Sequence, residues 1–114
     1  MENNCIFCRI IQHEIPASIV KENEHILVIR DIHPKAPTHF LIIPKKHVDN
    51  MACIGKEDEF IALEMFKMVK EFAKDLGENP AFNLISNNGA KAGQSVFHMH
   101  WHFLSGKDIF QGRF

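Results

Sequence analysis

Three histidines at alternate positions, His98, His100 and His102, are interleaved with Met99, Trp101 and Phe103. In an extended chain residues i, i+2 and i+4 share one face, so the spacing predicts a strand with imidazoles on one side and large apolar groups on the other. Neutral imidazole is at once a nucleophile, a general base and a metal ligand. One metal held by all three is excluded by reach. His98 and His102 lie roughly 13 Å apart along a strand, whereas zinc takes each nitrogen at about 2.0–2.1 Å. A division of labour fits better, with His100 in the middle attacking an electrophile and a neighbour holding a departing or non-bridging oxygen.

The segment before the histidines narrows the electrophile. Gly89 and Gly93 let backbone N–H groups approach an anion closely, and the Ser95 hydroxyl can donate to a phosphate oxygen or a leaving group. A phosphoryl centre suits that loop. A second constellation, Cys5-Ile6-Phe7-Cys8, reads as half of a zinc site, half of a redox pair, or two buried small residues. The redox reading is weakened because no strand precedes the pair.

The remaining sequence must position these groups. Apolar residues at Ile6, Phe7, Ile10 and Ile11 predict a short helix over 5–12, and 26–29 and 40–43 read as strands joined by a Pro-punctuated connection. From Lys56 to Leu76, Phe60, Leu63, Phe66, Val69, Phe72, Ala73 and Leu76 recur at threes and fours, which predicts one long helix ending at Gly77. Residues 82–85 form a further strand, 87–93 a turn-rich loop, and 18–20 a short additional strand. One α+β domain spanning 1–114 with an antiparallel sheet is expected.

Thirteen Lys and Arg against fourteen Asp and Glu give a formal charge of −1 in 114 residues, which disfavours nucleic acid and anionic membranes as partners. No stretch approaches the roughly 18 apolar residues of a membrane span, and the first residues lack signal-peptide character, so a cytoplasmic location is expected. Three cysteines, Cys5, Cys8 and Cys53, argue for reduced thiols, with Cys53 as buried packing. His13, His25, His33 and His39 read as surface or turn residues.

His98 to Leu104 resembles the signature of the histidine triad superfamily of nucleotide hydrolases and transferases, and the segments 31–47 and 93–97 resemble its purine nucleoside phosphoramidase branch. The resemblance implies a five-stranded antiparallel sheet with one long and one short helix, continued across a homodimer. It implies that His100 attacks the α-phosphorus of a nucleoside 5′-phosphoramidate of AMP or GMP type. The amine is then expelled, and water hydrolyses the nucleotidyl-histidine. His102, Asn87 and the 93–95 backbone, with Gly93, Gln94 and Ser95, bind phosphate, and the Ser95 hydroxyl lies near the leaving nitrogen. Asp31 holds the ribose, Ile32 packs at the nucleoside, and Phe7, Ile10 and Ile29 wall the base. By the same resemblance Cys5, Cys8, His47 and His98 hold a structural Zn²⁺ that the chemistry does not require. Without zinc, His98 orients His100. Dinucleoside polyphosphate hydrolysis and nucleotide binding without significant turnover are the alternatives.

Overall fold

Two aliphatic runs and one amphipathic stretch dictate the architecture. The computed structural model describes residues 4–106. In chain order it contains α1 (Ile6–Ile11), β1 (Ile19–Glu22), β2 (Ile26–Arg30), β3 (Thr38–Pro44), α2 (Glu59–Lys74), β4 (Phe82–Ile85) and β5 (Trp101–Ser105). The strands form one five-stranded sheet in the order β1-β2-β3-β5-β4, every neighbouring pair antiparallel. The α+β class and antiparallel sheet are as expected.

The sheet is covered on both faces, so β2 and β3 are apolar almost throughout, and the twofold alternation sorts their side chains. Ile26, Val28 and Ile42 join Trp101 and Phe103 of β5 and Ile61, Met65, Met68, Val69 and Phe72 of α2 in one core. Leu27, Ile29, Leu41 and Ile43 face the other way, onto Cys5, Phe7, Cys8 and Ile10 in and beside α1. Phe103 anchors the first layer, stacked on Phe82 at 4.9 Å and tilted against Phe72 at 5.8 Å between ring centroids.

Four expectations are corrected. The strand carrying the histidines begins at Trp101, so His98 and His100 lie on the approach to it, although the alternation persists: Met99 joins the α2 core while His98 and His100 turn to the α1 side. Residues 56–58 form a separate 3-10 turn, because Asp58, at φ −107° and ψ 2° with its carboxylate held by Lys46, stands outside α-helical geometry and breaks the run before Glu59. Along α2, Phe60, Leu63 and Phe66 are about half exposed, and the buried face runs through Ile61, Met65, Met68, Val69 and Phe72. The helix thus carries apolar residues on two faces, and a reading by hydrophobicity merges them. Cys53, finally, is exposed in a 3-10 turn with no buried residue.

The aromatic layer gives a direct test. Phe103→Ala should lower the unfolding free energy by about 3–5 kcal/mol in urea titrations. A loss under about 1 kcal/mol would show that this ring does not hold α2 to the sheet.

Candidate functional site

The β3–β5 pairing builds the site. Leu41 stands opposite His102 and His39 opposite Leu104, which sets His39 diagonally beside His102 on the face turned away from α2. The approach segment then adds His100, its ring 5.1 Å from that of His102 and 5.1 Å from that of Phe7.

Hydrogen bonds to groups of fixed polarity assign the tautomers. The His98 carbonyl can only accept, so His100 Nδ1–H donates to it at 2.8 Å and the ring's lone pair is at Nε2. The Lys35 amide donates to His39 Nδ1 at 3.1 Å, so His39 carries its proton on Nε2. That proton goes to His102 Nδ1 at 2.9 Å, with Asp31 Oδ2 3.4 Å from the same nitrogen. His102 is thereby left with an Nε2–H. The pair presents one nucleophilic nitrogen and one donor. Burial lowers the pKa of His100, and burial followed by repulsion from His100 and His39 takes that of His102 down to about 4. Desolvation also lowers His39. These rings are neutral at neutral pH.

His39 is the functional residue that sequence reading missed. It is 4% exposed rather than a surface residue. Its signal was its place in Thr38-His39-Phe40-Leu41, where the twofold period puts it on the face of Leu41.

A cavity of about 450 Å³ brings together Asp31, Asn87, Gly93, Ser95, His100 and His102, and adds His33, Lys35, His39, Ile85 and Leu104. Gly93 has φ +96°, and a Cβ there would meet the Asn87 amide nitrogen at 3.4 Å. The Asn87 amide itself donates to the Ala92 carbonyl at 3.0 Å. Gln94 is spent differently. Its buried amide accepts from Gly89 N–H at 2.8 Å and donates to the Asp49 and Val96 carbonyls at 2.6 and 3.0 Å, so it braces the loop and leaves only backbone for a ligand. Ile32 is 86% exposed and lies outside the cavity lining. Phe7, Ile10 and Ile29 are buried together with Leu41 beneath the α1 side of the sheet.

The Cys/His cluster is assembled. Donor atoms of Cys5, Cys8, His47 and His98 all lie within 4.8 Å of one another. Cys5 Sγ is 3.3 Å and Cys8 Sγ 3.6 Å from His98 Nδ1, and Cys8 Sγ is 3.3 Å from His47 Nδ1. A tetrahedral ion with arms of 2.0–2.3 Å needs donors about 3.3–3.8 Å apart. The outer nitrogens are also occupied as such a site requires, His98 Nε2 donating to the Pro44 carbonyl at 2.7 Å and His47 Nε2 to Asp49 Oδ1 at 3.1 Å. Both Nδ1 lone pairs therefore face the thiols, and the cluster can hold a metal ion. The His98 imidazole belongs to this cluster, and its service to His100 comes from the backbone carbonyl. Asp31, His39 and His102 also bring donor atoms within 4.8 Å. There the His39 Nε2 position is filled by a proton, because Lys35 already occupies Nδ1.

A five-stranded antiparallel sheet that seats paired imidazoles beside a glycine-bounded cavity defines the class, and the comparisons agree with it. The HIT domain model matches residues 12–109. The chain is 43% identical over 107 residues to an uncharacterised HIT-like protein of Synechocystis, covering 94% of each. It is 41% identical over 102 residues to protein HitA of Neisseria gonorrhoeae, covering 90% of this chain and 95% of that one. Among solved structures, a HIT family hydrolase from Clostridium thermocellum superposes with TM-score 0.91 at 41% identity over 100% of both chains. A histidine triad protein from Clostridium difficile gives 0.90 at 36% identity over 97% of each. The chain belongs to the HIT family, and a HIT-type nucleotide hydrolase or nucleotide-binding activity is supported. No helix of the described residues is long and apolar enough to cross a membrane.

Two predictions follow from the tautomer chain. In 15N NMR near pH 7, His102 should show a single Nε2–H tautomer that becomes a mixture in His39→Leu; an unchanged spectrum would show that His39 does not set it. For pH, the fold depresses the imidazole pKa, so the stability in question is complete above about pH 6.5 and is lost as pH falls toward 4. The urea midpoint of the wild type should therefore converge on that of His102→Asn between pH 7 and 4. A constant gap would refute it.

Proposed function

We propose that the protein is a purine nucleoside phosphoramidase. The observation that carries the reading is the pairing of a His100 Nε2 lone pair with a His102 Nε2–H in one cavity with Ser95, Gly93, Asn87 and Asp31. His100 Nε2 bonds to the α-phosphorus while the bond from phosphorus to the amine breaks. The electron pair stays on the departing nitrogen, which takes the Ser95 hydroxyl proton while the exposed Ser95 takes one in turn from solvent water. His102 and the loop amides hold the non-bridging oxygens as charge builds there. Water then attacks phosphorus, restoring the imidazole and releasing the nucleoside monophosphate. Asp31 binds the ribose hydroxyls, and Phe7, Ile10 and Ile29 support the purine.

The Cys5, Cys8, His47 and His98 set fits Zn²⁺. Bound there, the ion supplies structural cross-linking between the N-terminal turn and the active segment, and no step of the hydrolysis uses it. A homodimer completes the reading, supported by the exposed Phe60, Leu63 and Phe66 on α2 and by β4 as a sheet edge. A cytoplasmic location goes with it.

Incubation with adenosine 5′-phosphoramidate should release AMP, and His100→Ala should lose turnover by several orders of magnitude while still binding AMP. Retention of more than about a tenth of kcat, a loss under about 1.4 kcal/mol, would remove His100 as nucleophile. Purified protein should hold about one zinc per chain, released in Cys5→Ser/Cys8→Ser with a lower melting temperature. Absence of stoichiometric zinc under non-chelating conditions would dismiss that part of the reading.

A further inference from the structure

Beside the catalytic cavity lies a second cleft of about 360 Å³, lined by Asn4, Cys5, Ile6, His47, Asp49, Ser95, Val96 and Phe97. Ser95 is the one described residue that lines both. Asp31, the proposed ribose anchor, lines the first cavity and not the second, so a ligand chain running from Asp31 past His100 and His102 to Ser95 continues into this cleft. The cleft is built unlike the phosphate loop. Ile6 and Phe97 present half-exposed apolar surface, 47% and 48%, and the partly buried Val96 packs against the α1-side core. Asp49, its side chain 60% exposed, contributes a carboxylate. No lysine or arginine is among the described lining residues.

We propose that this cleft is the leaving-group subsite, selecting amines with an aromatic or aliphatic body and disfavouring those that carry a carboxylate. The proposal rests on the phosphoramidase reading, and it makes Phe97 a specificity-determining residue. An apolar body resting on Phe97, Ile6 and Val96 is removed from water, while an acidic amine brings its charge toward Asp49 with no lysine or arginine among the described lining residues to pair with it. Binding energy gathered there, away from the reacting atoms, helps hold phosphorus in line with His100.

The test compares kcat/KM for three adenosine 5′-phosphoramidates, formed with ammonia, phenethylamine and phenylalanine, in wild type and Phe97→Ala. Wild type should prefer the phenethyl amide to the ammonia amide by about tenfold, within the range of a small apolar pocket. It should prefer the phenethyl amide to the phenylalanine amide by at least about fivefold, and Phe97→Ala should reduce the first ratio to about twofold with its melting temperature preserved. Equal rates for the three amides in wild type, or an unaltered ratio in a folded Phe97→Ala protein, would overturn the subsite while leaving the phosphoramidase reading standing. No turnover of the ammonia amide by wild type would overturn that reading, and the subsite with it. Ile6→Ser gives an independent second probe and should reduce the same ratio.

Discussion

The hydrogen bond from His100 Nδ1 to the His98 carbonyl is the contact on which the site depends. It spans two residues at 2.8 Å, and without it the ring has no fixed tautomer and no fixed direction. Because it is so local, it is only as rigid as the backbone at residue 98. That backbone is not secured by the sheet, since the ladder begins three residues later at Trp101. It is secured by the His98 ring, which is fully buried between the Pro44 carbonyl and the two thiols, and by the Met99 amide, which donates to the Val48 carbonyl at 2.7 Å. The cysteine cluster and the proposed nucleophile are thus joined through one residue: side chain to the cluster, carbonyl to the His100 ring.

The second imidazole is fixed by a different device. His102 stands in the ladder, and its ring is aimed by His39 from the neighbouring strand, itself aimed by the Lys35 amide in the preceding turn. Polarity passes along this chain without ambiguity because it begins at a backbone N–H, which can only donate. A neutral ring that keeps its proton on Nε2 offers a donor to an anion without the desolvation penalty of a buried cation. The low pKa of His102 is in that sense matched to its place, since burial discourages the charged form and the hydrogen bond supplies the direction.

Much of this was legible in the sequence, and the omissions have physical causes. Strands were visible at 26–29, 40–43 and 82–85 because aliphatic or aromatic runs bounded by Pro, Asn and Asp have few alternatives, and β2 and β3 extend them only by flanking residues to 26–30 and 38–44. Alternation at 98–103 correctly sorted rings from core, since an extended chain alternates whether or not a neighbour pairs with it; pairing is a tertiary fact, and so the true start of β5 was hidden. His39 was hidden for the same reason, because its importance lies in a cross-strand diagonal to His102 that no single segment encodes. The part played by the Gln94 side chain was hidden as well, because its amide is consumed by the backbone of Gly89 and Val96 in its own loop and by that of Asp49, 45 residues away, a contact that only the fold creates.

The exposed stripe on α2 shows the opposite limit. Periodicity finds a helix, but hydrophobicity does not say what covers each face, and here the sheet covers Ile61, Met65, Met68, Val69 and Phe72 while Phe60, Leu63 and Phe66 remain in contact with water. Leaving three large apolar side chains exposed on one face carries a standing penalty in solvation, which a second surface can offset. The sheet has an analogous open side at β4, whose outer backbone groups face no strand among the described residues. β4 pairs with β5, the strand that carries His102, and Ile85 stands opposite His102 in register. A partner that stiffens β4 would therefore also stiffen the strand that carries His102, which connects the proposed dimer to the proposed chemistry through a single pair of residues.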